Sequence, residues 1–358
     1  MRGQYASGVV ARRDVERRTL GELDDVLRAG PPAEDLFRES GRVLTAALGF
    51  DAVCWHLNDP VTGLVSTVQS DELDLSGFAL AIELATAFDD VTTFDKIRGS
   101  GELADTISRA TGGRPQVSVR YREQLRPLGY GDELRANFDA QGGLWGCAAF
   151  LRDEGRGHFR PEELRLARVA ARRIGVALRD LHVPDGSGAE LATLPAVAVL
   201  GPDNALVAVD EGAESVIADL TAGATVRGAP APFLVVAHRA RQGLPAKTRV
   251  RTSAGTWLVA HASLLERRAD GPVAVVVTEA TPAELVPVVL VSYGLTTREQ
   301  EVALHAVRGH TTAQIARLLG MAQVTVQDHL KSIFDKTGTR SRRELVAHLI
   351  MANFAENR

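Results

Sequence analysis

An amide, a carboxylate and an ammonium stand at Gln327, Asp328 and Lys331, spaced to share one side of a helix. Groups of these types can exchange hydrogen bonds with base-pair edges. An amide pairs with adenine, a carboxylate accepts from the cytosine amino group, and an ammonium meets guanine or phosphate. The same run carries Val326, Leu330 and Ile333 at helical spacing, which makes the opposite side apolar. Val324 and Thr325 sit where that helix begins. His329 is left with two roles, touching phosphate or packing beneath the helix. A helix that is apolar below and hydrogen-bonding above is what a major groove accepts.

The surrounding residues must hold this helix in place. Three helix-start signals recur at short intervals: Thr296 with Glu299, Thr311 with Gln314, and Ser341 with Glu344. Each is a hydroxyl followed three residues later by Glu or Gln, a pair that satisfies amides left open by the first helical turn. Each opens an apolar stripe, Val302, Ala303, Ala306 and Val307 after the first, and Ile315, Ala316 and Leu319 after the second. Gly320, Met321 and Ala322 then fit the tight turn of a helix-turn-helix, and Gly338 stops the helix that follows.

The run from Leu295 to Leu349 resembles the LuxR-type helix-turn-helix, a four-helix DNA-binding module at the C-terminus of bacterial transcriptional regulators. The resemblance rests on Leu295, Thr296, Arg298, Glu299, Glu301, Val302, Gly309, Ile315, Ala316, Leu319, Thr325, Val326, His329, Leu330, Ile333, Lys336, Gly338, Arg342 and Val346, in one ungapped register. It implies that Gln327, Asp328 and Lys331 lie nearest the bases. It also places Lys336 at a family position. Arg340, Arg342 and Arg343 open the fourth helix, where cations and a helix N-terminus can meet phosphate. There are departures. Ala322 stands where the family has a capping Ser or Thr, and Gln327 replaces a Lys. Thr337 and Thr339 replace an apolar pair, which is expected to loosen the turn into the last helix.

From Leu295 onward there are nine Lys/Arg and six Asp/Glu, a charge of +3 on a chain that totals −4, so the preceding residues carry −7. A basic tail on an acidic body suits a reader of double-stranded DNA. The N-terminus lacks a hydrophobic signal segment, and no apolar run approaches a membrane span, so a cytoplasmic location without membrane contact is expected. Cys54 and Cys147 lie in apolar runs and are expected to be reduced and buried. No Cys/His cluster has metal-ligand spacing, and no metal or cofactor is expected.

A length of 358 residues suggests two or three domains. Residues 1–30 read as one charged N-terminal helix. Residues 31–183 alternate helix, strands, loops, strands and helix, an α+β order that resembles a GAF domain, a cytosolic ligand-sensing module. Its closing helix, opened by Pro161, repeats Leu164, Ala167, Ala171, Ile174, Leu178 and Leu181 in three- and four-residue steps. That is the seam of a coiled coil and predicts a parallel homodimer helix. A Pro/Gly/Ser-rich linker follows His182. Residues 193–280 read as hairpin, helices and three returning strands, which resembles a PAS domain, a sensor on a five-stranded antiparallel sheet. Residues 292–358 are the all-α helix-turn-helix domain, and 281–291 fall between the two.

An enzymatic reading needs a site. There is no P-loop, no G-x-S-x-G, no H-E-x-x-H and no dinucleotide fingerprint after a strand. The nearest candidate is Cys147 with His56 or His158 as a base, and LWGCAAF around Cys147 reads as buried strand. No catalytic residue is assigned. The favoured expectation is a dimeric DNA-binding regulator whose two N-terminal domains sense a signal, with a small-molecule ligand in one of them left open. The alternative is a signalling enzyme or partner-docking protein whose helix-turn-helix no longer binds DNA.

Overall fold

The computed structural model describes residues 2–87, 89–182, 194–220 and 225–351. The chain opens with α1 (Arg2–Ala29) and α2 (Ala33–Leu48), then β1 (Ala52–Asn58), β2 (Val65–Gln69), α3 (Phe78–Ala87) and α4 (Phe94–Gly99). It continues through β3 (Ala104–Thr106), α5 (Ile107–Ala110), β4 (Tyr130–Ala140), β5 (Gly143–Asp153) and α6 (Pro161–His182). The five strands form an antiparallel sheet in the order β2-β1-β5-β4-β3. β4 and β5 turn at Gln141 (φ 54°) and Gly142 (φ 81°), the two left-handed residues of a tight hairpin.

Strand alternation sorts the side chains onto two faces. Val53, Trp55, Leu134, Phe138 and Phe150 face α2 and α6, where Phe37 stacks on Trp55 with ring centroids 5.1 Å apart. Cys54 and Ala149 face the other way and join a second core.

The six-residue seam of α6 is filled from within the chain. Leu164, Ala167, Ala171, Ile174 and Leu178 are at most 5% exposed and lie in the first core, and Leu181 packs against it. α6 lies on β4, so closely that a Cβ at Gly175 would meet the Phe138 backbone at 2.8 Å. The alternating spacing is that of any helix seated on a sheet, and about five turns of it carry no record of whether the partner is internal. On another face of the same helix, Val169 and Val176 stay exposed.

The second unit runs β6 (Ala196–Leu200), β7 (Leu206–Val209), α7 (Glu211–Leu220), β8 (Thr225–Val226), β9 (Ala229–Pro230), α8 (Ala231–Arg241), β10 (Lys247–Arg251), β11 (Trp257–Leu264) and β12 (Val273–Glu279). Of the linker expected over residues 182–194, residues 183–193 lie outside the described residues. The antiparallel order is β10-β11-β12-β6-β7, so in both units the first strand pairs with the second and the last. Phe233, Leu234, Val235 and Val236 make α8 apolar all round, and such a helix must be buried on every side. It lies between β11 and β12 of its own sheet and β2 and α3 of the first unit.

Five helices close the chain: α9 (Pro282–Ser292), α10 (Thr297–Val307), α11 (Thr312–Leu319), α12 (Gln323–Thr337) and α13 (Arg342–Met351). The sequence reading assigned nothing to α9, and it is the joint of the molecule. Leu285, Val288 and Val291 pack into the first core beside Trp257, while Val286, Val289 and Leu290 pack into the core of the last four helices. Tyr293 Oη lies 2.6 Å from His348 Nε2 on α13.

All three parts meet at one ion pair. Arg249 on β10 donates from Nη1 to Asp59 Oδ2 at 2.9 Å and from Nε to the Glu284 carbonyl of α9 at 2.6 Å. Asp59 is 1% exposed and Arg249 7%. Arg249→Ala leaves that carboxylate buried without its cation, and the expected loss is about 3–5 kcal/mol. Urea unfolding followed by tryptophan fluorescence checks this; the variant should also lose the single transition in which the units unfold together.

Candidate nucleic-acid interface

α10 and α11 start as their sequences require. Thr296 Oγ1 accepts from the Glu299 amide at 3.3 Å, and Glu299 Oε2 accepts from the Thr296 amide at 2.7 Å. Thr311 and Gln314 repeat this at 3.3 and 2.7 Å. At α13 the pair is altered. Ser341 Oγ accepts from the Glu344 amide at 3.2 Å, but Glu344 reaches back to the Arg340 amide at 2.8 Å.

α11 ends on Gly320 in the left-handed conformation (φ 64°), and the chain turns through Met321 and Ala322 into α12. Ala322 has no side chain to cap α12, so the first-turn amides of that helix stay uncapped. Val326 and Ile333 (0% exposed) and Leu330 (7%) seat α12 on Val302, Ala306 and Ile315. Thr325, Gln327, Asp328 and Lys331 are exposed, and so is Val324 at 62%. His329 is half-buried at the edge of this face.

The remaining cations divide. Arg340 and Arg343 are exposed. Arg342 is half-buried and donates to the His310 carbonyl. Lys336 is exposed, but its ammonium is engaged, Nζ lying 2.7 Å from Glu299 Oε2 and 3.2 Å from the Gly294 carbonyl. Arg317 on α11 went unremarked in the sequence reading; it is exposed and makes no ion pair among the described residues. Its sign was the only available signal, since an exposed cation on the helix preceding the reading helix can meet the DNA backbone.

The turn into α13 is not loosened by its threonines. Thr337 Oγ1 lies 2.9 Å from Thr339 Oγ1 and donates to the Ile333 carbonyl at 2.8 Å, with both residues buried. Two hydroxyls that satisfy each other replace apolar contact with hydrogen bonds.

Glu299 braces this unit. Burial alone would raise its pKa, but hydrogen bonds from Lys336, Ser332 and Thr296 bring it down to about 2. Ser332 donates to it at 2.6 Å, so two side chains of α12 hold α10 through one carboxylate.

The enzymatic candidate comes apart in the structure. His56 stands between the two sulfurs, Nε2 3.2 Å from Cys54 Sγ and Nδ1 3.2 Å from Cys147 Sγ. Burial pushes the Cys54 thiol up to about 12 and Cys147 well up, and it brings His56 down to about 3. Neutral thiols beside a neutral imidazole are poor nucleophiles. The ring also separates the sulfurs, so they cannot join without displacing it. His158 is exposed, and its carbonyl accepts from Arg152. Among the described residues no His/Cys/Asp/Glu group could hold a metal ion, and no helix is long and apolar enough to cross a membrane.

Residues 294–349 match GerE, the luxR family of bacterial regulatory proteins. Over 64 residues the chain is 39% identical to a probable transcriptional regulatory protein, SgaR, of Hyphomicrobium methylovorum. That stretch is 18% of this chain and spans only 30% of the relative. Among solved structures, SdiA in complex with octanoyl-rac-glycerol is 14% identical, covering 96% of this chain and 95% of that one, with a TM-score of 0.33. The Vibrio cholera VqmA-ligand-DNA complex is 16% identical, covering 46% and 84%, with a TM-score of 0.22.

Glu299→Gln keeps the shape and removes the charge. The folded carboxyl ionises at about 2 against an ordinary 4.5, so its stabilisation is complete above pH 4.5 and is lost as pH falls toward 2. Chemical unfolding followed by circular dichroism should show the variant about 1–3 kcal/mol less stable at pH 7. That difference should shrink across the same pH window.

Proposed function

We propose, from a C-terminal domain that is a LuxR-type helix-turn-helix, that this chain is a transcriptional regulator reading double-stranded DNA through α12. One observation carries the proposal: the amide, carboxylate and ammonium of Gln327, Asp328 and Lys331 stand free beside an uncapped helix start. The open amides suit a phosphate, and the side chains suit base edges. Val324 offers an apolar surface for a thymine methyl. Arg317, Arg340 and Arg343 supply phosphate contacts around it. Lys336 and Arg342, occupied by Glu299 and the His310 carbonyl, support the frame.

The α+β units are proposed as GAF-like and PAS-like sensors in a cytoplasmic protein. The support is their two five-stranded antiparallel sheets, each flanked by helices. A signal has a physical route to α12. Phe94 begins α4, and Arg98 on the same helix holds Asp139 through Nε at 2.8 Å and the Gly142 carbonyl at 2.7 Å. That hairpin tip lies against α9: a Cβ at Gly143 would collide with Val291, and one at Gly294 with Gln141.

Dimerisation is part of the proposal, because one helix reads too few base pairs and paired half-sites follow from two-fold symmetry. The buried α6 seam is not the contact. The outer stripe of α6, with Val169 and Val176 at 39% and 41% exposure, remains available.

Fluorescence anisotropy of the full chain on a selected duplex tests this. Lys331→Ala should weaken binding and reduce the salt slope by about 1 if it meets phosphate, and Gln327→Ala should relax preference at one base pair. No change from either would mean that another surface does the reading. Light scattering should find two chains per duplex; one chain per duplex removes the dimer.

A further inference from the structure

The face of the first sheet that turns away from α2 and α6 walls a cavity of about 160 Å³. α3 and the segment from Tyr121 to Leu128 close it from the other side. Its surface is mainly apolar, with Phe78, Ile82, Leu125 and Leu151 contributing. An apolar hole of about 150 Å³ accepts a benzene-sized guest, so this one has room for roughly six to nine heavy atoms.

Its polar wall is unbalanced. Arg120 and Arg135 both line the cavity and both address Glu133, which is 0% exposed. Arg120 Nη2 lies 2.8 Å from Glu133 Oε1 and Arg135 Nε 2.9 Å from Oε2. Two guanidinium groups against one carboxylate leave one positive charge in a desolvated place. Among the other ionisable neighbours, none is bonded to either guanidinium. His56 is held neutral, and Cys54 stays a thiol. Asp74 at the mouth caps Ser76, and Asp90 is taken up by Ser118 and the amides of Val119 and Arg120.

Arg135 is the less fully bonded of the two guanidinium groups. It is 4% exposed, rests on the Phe94 ring at 4.8 Å, and donates from Nη1 to the Thr92 carbonyl at 2.8 Å. Its Nε lies 2.9 Å from Glu133 Oε2 without hydrogen-bond alignment and is the donor left open. A buried donor left open costs about 1–3 kcal/mol, more when charged, which a fitting acceptor recovers. The planar fork of arginine suits a carboxylate.

We infer that this cavity binds a small monocarboxylate with an apolar body, its anion on Arg135 and Arg120 and its hydrocarbon among Phe78, Ile82 and Leu125. This deepens the sensor reading above by naming the chemistry of the signal. The site lies against Phe94, at the head of the α4 route to the β4–β5 hairpin tip.

Calorimetric titration of the full chain without DNA tests it, with benzoate and hexanoate as probes and benzamide and hexanamide as uncharged partners of equal size. The expected result is saturable binding of at least one acid, about tenfold or more tighter than its amide. Arg135→Gln should remove that preference, and Ala81→Phe, which fills the cavity from α3, should abolish binding with Arg135 intact. If Arg135→Gln does not fold, Ala81→Phe and the acid-to-amide ratio decide. Equal binding of acid and amide, binding indifferent to Ala81→Phe, or no binding of either acid overturns the inference. DNA binding by the same preparation separates the two readings: a chain that shifts DNA but ignores both acids refutes only this one.

Discussion

The arrangement of this molecule depends on α9, whose apolar side chains are divided between two cores. Leu285, Val288 and Val291 are buried in one core and Val286, Val289 and Leu290 in another, so the helix belongs to both. Fully burying each such side chain is worth about 1.5–3 kcal/mol relative to leaving it exposed. Neither core can let the helix go without exposing three of them. The orientation of α12 is therefore set by the N-terminal units and not by a flexible tether. The buried Asp59–Arg249 pair, with Glu284 of α9 as its third member, adds direction to what the apolar contacts leave free.

The terminal domain was legible because its signals are local. A capping box lies within four residues, and an apolar stripe within two turns. Both survive at Thr296 and Thr311, and the inner and outer faces of α12 fall where the spacing puts them. α9 was illegible for the complementary reason. A helix buried on both sides has no amphipathic period, and Pro287 in its middle argues against a helix at all. The seam of α6 shows the third case. Its period was right and its partner wrong, since spacing reports which side is buried and never what buries it.

Strand β4 makes the same point with charge. In DELRANFD the alternation marks two faces, and a polar face ordinarily meets solvent. Here Glu133, Arg135 and Asn137 are instead buried, because α3, α4 and the 121–128 segment cover that side of the sheet. The result is a dry, charged wall. The two cysteines were read correctly as buried thiols, and His56, paired with Cys147 in the sequence reading, shares a strand face with Cys54 and stands between the two sulfurs.

What joins these parts is a single claim, that the outer face of α12 enters a major groove. Interference mapping on a duplex selected from a random pool by the full chain tests it most directly. Guanine N7 methylation should block binding within two half-sites about one helical turn apart, with phosphate ethylation interfering at their flanks. Failure to enrich any duplex, or interference confined to minor-groove adenine positions, would contradict the account.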